Sequence, residues 1–372
     1  MKFCIITHVP HGYFNANYFA YSPYVREMNI WIKYVDEIVL VAPLDLKNLT
    51  EIDIFYSKDS IDFRSIPSYN FLSFVAAFKS ILKLPTITFE IYKAMKNSDH
   101  IHLRCPGNIG LLGCFVQILF PKKTKTAKYA GNWDFAAKQP LSYRIQKWIL
   151  SNTFLTKNMK VLVYGEWENS TKNIKPFFTA SYHDKDVIDI KPRELNGKKR
   201  FVFVGTLSNG KQPLYAVQLI EQLHRNGNDV ELCIYGEGIE RVSLENYIAK
   251  NNLEKIVILK GNQNQETIKK VYSENHFVVL PSLSEGWPKV IAEGMFWGCL
   301  PIATRVSCVP NMLDNGDRGF LLELTLDDDV KNIQSLLNNN ELYQNKVKKA
   351  INWSRKYTLD VFEEEIKLLL KS

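Results

Sequence analysis

No stretch of this 372-residue chain is apolar for long enough to cross a bilayer as a helix, which takes ~18–20 residues. The longest apolar run, Ile109 to Pro121, contains Gln117 and reads as a buried helix. The six cysteines (Cys4, Cys105, Cys114, Cys233, Cys299 and Cys308) include no C-x-x-C pair. That argues against structural zinc and for buried thiols in a reducing compartment. The opening Met-Lys-Phe-Cys-Ile-Ile-Thr carries no small-residue cleavage site, so the expected location is cytoplasmic. No G-x-G-x-x-G follows the first apolar run, Lys2–Thr7, which counts against a dinucleotide oxidoreductase. Short-period repeats are missing, as are basic motifs interleaved with aromatics, so no nucleic-acid partner is expected. Acidic clusters are few. Asp184-Lys-Asp186 lies near a linker and Asp327-Asp-Asp329 at a helix start; both read as solvated, and no metal is expected.

What is present describes a folded α/β protein. Hydrophobic residues make up 46% and charged residues 23%, and the length suits two domains of ordinary size. Short β-rich runs alternate with helical patterns, as parallel sheets with crossover helices require. The first half offers strands at Lys2–Thr7, Glu37–Ala42, Ile101–Leu103, Thr126–Tyr129 and Lys160–Tyr164. The second offers Arg200–Val204, Val230–Tyr235, Ile256–Leu259, Phe277–Pro281 and Pro301–Thr304, with helices at Pro213–Arg225, Ser243–Asn251 and Gln265–Glu274. The polar stretch Ile190–Lys198 is the expected linker, giving domains at 1–192 and 193–354. Trp353 to Leu370 reads as one amphipathic helix. The net charge of +8 is uneven: residues 1–194 hold 25 Lys and Arg against 17 Asp and Glu, whereas residues 195–372 hold 22 of each. The basic half is suited to an anionic partner, either a phosphate-bearing acceptor or an anionic membrane surface. Phe71 to Leu84 has large apolar residues at helical spacing with Lys79 and Lys83, and fits either a core-facing helix or one lying on a membrane.

One segment is more specific than the rest. After the apolar strand at 277–281 comes Ser282-Leu-Ser-Glu285-Gly-Trp-Pro-Lys-Val-Ile-Ala-Glu293-Gly-Met-Phe-Trp-Gly298. Pro288 suits a first helical turn and Gly298 the position just past the end. Such a helix aims amide donors and a partial positive charge at the space above the sheet. Glu293 falls ~7.5 Å further along the axis at ~1.5 Å per residue. A diphosphate at the helix start and a ribose accepted by Glu293 fit that spacing. Glu285, ahead of the helix, can accept from hydroxyls of whatever the diphosphate carries.

This E-x7-E segment resembles the retaining, nucleotide-sugar-dependent glycosyltransferases of family 4, of the bacterial polysaccharide-biosynthesis type. The resemblance is strongest over roughly 199–323. It implies the GT-B fold, two Rossmann-like domains facing each other across a cleft, with about 355–372 packing back onto the first. It also implies an enzyme of the hexosyltransferase type, EC 2.4, with a nucleotide-diphosphate sugar as co-substrate and no separate cofactor. The acceptor is then a glycan or a lipid-diphosphate-linked sugar, and the enzyme works in the cytoplasm, peripherally at the membrane's inner face. Glu285 becomes the catalytic carboxylate. Gly286, Trp287, Pro288, Lys289, Val290 and Glu293 face the donor.

Other motifs extend the set. Phe201-Val-Phe-Val-Gly205-Thr-Leu-Ser-Asn-Gly-Lys211 is a strand, a flexible turn and a lysine at the mouth of the next helix. Gly205 lets a ligand approach the backbone and Lys211 supplies a point charge to phosphate. The family pattern has G-R-L here, with its phosphate-binding lysine six residues after the glycine, as Lys211 is. Thr206 replaces the arginine, so one cation is missing, and Lys289 is the expected substitute. Gly236, in Tyr235-Gly-Glu-Gly238, leaves room for a nucleotide, and Asn262 follows the next strand, where similar enzymes meet the nucleobase. In the first half His11 and Gly12 follow strand one and Arg104 ends another strand, which makes them acceptor-binding candidates. Asn132 and Asp134 stand where many family members carry a histidine facing the reaction centre and are the catalytic candidates of this half; Asp134 is suited to orient or deprotonate the acceptor hydroxyl, or else to cap a helix. The missing arginine and histidine keep a catalytically inactive nucleotide-sugar-binding subunit in view, and a sugar-nucleotide epimerase shares the architecture.

Overall fold

A computed structural model describes residues 1–45, 48–50, 52–67 and 74–371, with the side chains of 74–81 outside the description. It divides into two compact units, Met1–Phe177 with Glu363–Ser372, and Phe178–Phe362. The first division therefore falls ahead of the polar stretch 190–198.

Unit 1 runs β1 (Lys2–Ile6), β2 (Gly12–Phe14), β3 (Asn17–Tyr21), α1 (Ser22–Ile32), β4 (Glu37–Pro43), β5 (Asp53–Phe55), β6 (Asp62–Ile66), α2 (Phe74–Lys96), β7 (His100–Cys105), α3 (Asn108–Val116), β8 (Thr124–Tyr129), α4 (Leu141–Ser151), β9 (Met159–Tyr164) and β10 (Ile174–Phe177). Seven strands form a parallel sheet in the order β10-β9-β8-β7-β1-β4-β6, and β2-β3-β5 form a small antiparallel sheet. Central strands such as Phe3-Cys-Ile-Ile6 are buried on both faces, as parallel sheets covered by helices demand.

Unit 2 runs β11 (Lys199–Val204), α5 (Pro213–Arg225), β12 (Val230–Tyr235), α6 (Arg241–Lys250), β13 (Val257–Gly261), α7 (Gln265–Glu274), β14 (Phe277–Leu280), α8 (Lys289–Phe296), β15 (Leu300–Thr304), α9 (Val309–Met312), β16 (Phe320–Leu322), α10 (Leu326–Leu337), α11 (Asn340–Ser354) and the start of α12 (Leu359–Lys371). Its six-stranded parallel sheet has the order β13-β12-β11-β14-β15-β16. The chain lays strands outward from β11 in one direction, then returns to β11's other side with β14. That reversal is a topological switch point, and ligands of open α/β sheets bind outside the carboxyl ends of such strands.

The expected strands all form, with ends moved by a residue or two. Those not foreseen include β6, β10 and β16, short edge strands of their sheets. An edge strand needs one neighbour and tolerates polar residues and proline, as Asp62, Arg64 and Pro176 show, so its apolar pattern is weak. The single terminal helix is corrected to two. Residues 355–358 separate α11 from α12, and Thr358 caps α12 by accepting from the Val361 amide at 3.3 Å. The second part of α12 lies in unit 1, where Lys33 and Lys175 pair with Glu363 and Glu365. The buried helix expected over 109–121 is α3 plus a 3-10 turn at Gln117–Leu119, with Phe115 and Leu119 exposed. Of the stretch 71–84, residues 71–73 and the side chains to 81 fall outside the description; α2 covers the remainder.

Candidate functional site

At the switch point of unit 2, β11 delivers Gly205 and β14 delivers Ser282–Glu285 side by side. The loop after β11 is pinned on both flanks. Leu207 N donates to Glu237 O at 3.0 Å, and Leu283 N donates to Gly210 O at 2.9 Å. This brings Lys211 to Glu285, with Nζ 2.5 Å from Oε1. The Glu285 side chain is only 7% exposed and that of Lys211 31%, so the lysine forms the solvent side of the pair. Gly236 closes the floor. Its φ is +149°, and a Cβ there would sit 1.9 Å from the Gly205 carbonyl oxygen, so only glycine fits. Thr206 is exposed beside Gly205, and Asn262 is exposed beyond β13.

The E-x7-E segment then turns into α8. Pro288 is the N-cap rather than the first helical residue, and Gly298 follows the helix with φ +82°, the left-handed conformation favoured past a helix end. The α8 N-terminus emerges at the carboxyl edge of the sheet and carries the positive end of its dipole there. Gly286 O accepts from Ser307 Oγ at 3.2 Å and Cys308 Sγ at 3.0 Å, which fixes the turn. The Trp287 ring packs at 5.9 Å on Trp353 and 5.5 Å on Tyr357, so this side chain orients the loop from below. Lys289 and Val290 are half-buried in the first turn.

Glu293 points elsewhere than Glu285. Its Oε1 accepts from Ser181 Oγ, in the strap 178–182 that opens unit 2. Burial raises its carboxyl above the usual range, opposed by the Ser181 hydrogen bond and by the Lys289 charge.

In unit 1 three expected acceptor contacts are corrected. His11 is fully buried; Nε2 bonds to the Tyr56 hydroxyl and Nδ1 to Val9 O, both at 2.8 Å, and the ring stacks on Tyr56. Gly12 lies under the Phe19 ring, 2.1 Å from where a Cβ would stand. Arg104 donates to Glu27 at 2.7 Å, and Lys128 pairs with the same carboxylate at 3.1 Å. These residues hold the sheet to α1 and the β2-β3-β5 layer instead of meeting solvent. Asn132 Oδ1 accepts from Asp134 N, and Asp134 Oδ1 from Ala136 N, each at 2.8 Å, so Asp134 organises a loop and caps no helix. Of the acidic clusters, Asp184, Asp327 and Asp328 are exposed as expected, whereas Asp186 and Asp329 are engaged within the fold. Asp329 is buried and accepts from the Tyr215 hydroxyl and two amides, while Asp186 accepts from His183 N and pairs with Lys269 at 3.4 Å. Among the described residues no cluster of three metal-ligating side chains occurs.

Two residues of consequence went unread in the sequence. Ser181 gives no signal, being one small polar residue in Phe177-Phe-Thr-Ala-Ser-Tyr182. Lys128 does, as a lysine inside the apolar strand Thr-Ala-Lys-Tyr129, but its partner Glu27 lies on α1.

Known proteins share this fold and part of this sequence. Residues 184–353 match the family described as glycosyl transferases group 1. An uncharacterized glycosyltransferase of Methanocaldococcus jannaschii is 32% identical over 131 residues, 35% of this chain and 37% of that one. The UDP-N-acetylglucosamine–peptide N-acetylglucosaminyltransferase GtfA subunit of Limosilactobacillus reuteri is 30% identical over 37% of this chain and 27% of its own. The matched stretch is thus well under two thirds of either relative. The Anabaena protein Alr3699/HepE, solved in complex with UDP, superposes over 100% of this chain and 99% of its own, with a TM-score of 0.68 at 12% identity. The chain therefore has the GT-B fold, and its residues 184–353 are similar to the group 1 glycosyl transferases.

Proposed function

We propose that this chain transfers a sugar from a nucleoside-diphosphate sugar to a glycan or lipid-linked acceptor, with retention and without a metal, in surface polysaccharide or glycoconjugate synthesis. The observation that carries the reading is the Lys211–Glu285 pair at the switch point beside the α8 N-terminus. The bond that breaks joins the anomeric carbon to a diphosphate oxygen, and its electron pair leaves with the diphosphate. Lys211 and the α8 dipole stabilise that charge, with Lys289 as the second cation in place of the arginine that Thr206 replaces. Glu285 accepts from hydroxyls of the donor sugar, and Glu293 from the ribose. The acceptor oxygen bonds to the anomeric carbon from the leaving-group face, and its proton passes to the departing diphosphate. Asp134 is assigned to orient the acceptor hydroxyl.

The relatives and solved structures support the donor class: one relative's name contains UDP-N-acetylglucosamine, and one solved structure holds UDP. Screening UDP-, GDP- and ADP-sugars by calorimetry and product formation tests the reading. Lys211→Ala is expected to weaken nucleoside diphosphate binding at least tenfold, ~1.4 kcal/mol. Glu285→Ala is expected to lower turnover at least 100-fold with diphosphate binding kept within threefold. EDTA should leave turnover unchanged, and the product anomer read by NMR should match the donor. Binding without turnover for every donor and acceptor offered would instead support an inactive sugar-nucleotide-binding subunit.

A further inference from the structure

The strap that opens unit 2 is held along its length. Phe178 packs on Tyr357 at 4.9 Å and on Phe362 at 5.7 Å. Tyr182 packs on Phe296 at 4.9 Å and on Trp297 at 5.4 Å. Between them Ser181 O accepts from Gln265 Nε2 at 3.3 Å, at the start of α7. A residue tethered on both sides has little freedom in where its side chain points. The Ser181 hydroxyl is directed at Glu293 Oε1 and donates to it.

The surroundings of Glu293 explain why that donor matters. A hollow lined by residues of the strap, by Lys289, Ala292 and Phe296 of α8, and by Ser354 and Tyr357 holds only about 10 Å³. That is room for about one water and none for a sugar ring. A ribose must therefore meet the part of Glu293 that stays open, since the residue is only partly buried at its surface. Among the described residues, the charged and titratable groups facing the carboxylate are Lys289 on its own helix, Tyr272 on α7, and Tyr182 on the strap, whose hydroxyl in turn feels Asp186 and Glu266. Lys289 is the one cation among them. A carboxylate with one charge partner and costly desolvation needs neutral donors to stay ionised and fixed in direction.

We propose that Ser181 is a positioning residue, its hydroxyl aiming the Glu293 carboxylate and keeping it charged for the ribose of the donor nucleotide. This rests on the assignment of Glu293 to the ribose made above. Losing the hydroxyl leaves Glu293 with a carboxyl easier to protonate and freer to rotate. Nucleotide affinity then falls, and it falls further as the pH drops.

The test is calorimetric binding of UDP, GDP and ADP between pH 5.5 and 8, with wild type, Ser181→Ala, Ser181→Thr and Glu293→Ala. Taking the ratio of mutant to wild-type Kd at each pH cancels the titration of the diphosphate itself. Ser181→Ala is expected to raise Kd about 3–10-fold at pH 7.5, with the ratio growing toward pH 5.5. Ser181→Thr is expected to restore both affinity and pH profile. A ratio that stays flat with pH, or an unchanged Kd, overturns the proposal while Glu293→Ala still weakens binding. An unchanged Kd in Glu293→Ala sinks the ribose assignment itself. Should Ser181→Ala fail to fold by circular dichroism, Ser181→Cys, a weaker donor of similar size, decides by the same ratio.

Discussion

Single side chains in this protein are often fixed by a proton count. The Thr126 hydroxyl lies 2.9 Å from both His100 Nε2 and His102 Nδ1, deep inside unit 1. One hydroxyl has one proton, so it donates to one ring and accepts from the other, which requires at least one ring nitrogen to be bare. His276 in unit 2 is similar: Nδ1 accepts from Arg200 N and Nε2 donates to Glu194 O, each at 3.1 Å. Burial lowers all three, His100 and His276 to about 4 and His102 to about 3. Their folded values lie below the ordinary 6.5, so the unfolded chain takes up protons first. Stability is then full above pH 6.5 and declines as pH falls toward 4. Between pH 7 and 5 each buried histidine is expected to cost about 2 kcal/mol, read by urea denaturation at stepped pH. A flat unfolding free energy over that range would show that the rings are charged or solvated. None of this pairing is visible in the sequence, where His100 and His102 are two polar letters in an apolar strand.

Elements are legible in the sequence where they carry their own periodicity and punctuation. Pro213–Arg225 and Gln265–Glu274 begin and end as expected, because proline, a capping asparagine and an amphipathic stripe are local signals. Glycine beyond α8 was legible for the same reason. What fastens elements to each other was not. Asp329, expected to be solvated, accepts from Tyr215 Oη at 2.5 Å and from the Glu323 and Leu324 amides at 3.1 Å each. It ties α10 to α5 and to the end of β16. Asp329→Ala leaves a buried hydroxyl and two amides unpaired and is expected to lower the stability of unit 2 by about 2–4 kcal/mol, with Asp329→Asn recovering part. Chemical denaturation of the three proteins checks it, and a loss below ~0.5 kcal/mol would mean that the site is open to water. The site shows the same division. The E-x7-E spacing placed a helix N-terminus at a sheet edge, whereas the roles of Trp287 and Glu293 depend on Trp353 and Ser181, partners far along the chain.

For the whole molecule the long-range property written in the sequence is charge. All of the +8 excess lies in residues 1–194. Unit 1 also exposes Leu141, Trp148 and Phe154, with Arg144 and Lys157 exposed among them, while among the described residues no helix is long and apolar enough to cross a membrane. Peripheral attraction to an anionic bilayer is expected, and it should weaken with salt because the Debye length shrinks from about 10 Å at 0.1 M to about 3 Å at 1 M. Co-sedimentation with phosphatidylglycerol vesicles should fall steeply between those salt concentrations; equal binding to neutral vesicles would argue against a role for the charge. The sequence by itself determined the alternation of strands and helices, the two-unit α/β plan and the helix start between Glu285 and Glu293, because each follows from periodicity and capping within a few residues. Only the tertiary structure decided that Lys211 meets Glu285 across 74 positions, that Ser181 meets Glu293 across 112, and that His11 and Arg104 turn inward. Those pairings follow from which strands become neighbours and which side chains lose water, and both are set by packing between distant segments.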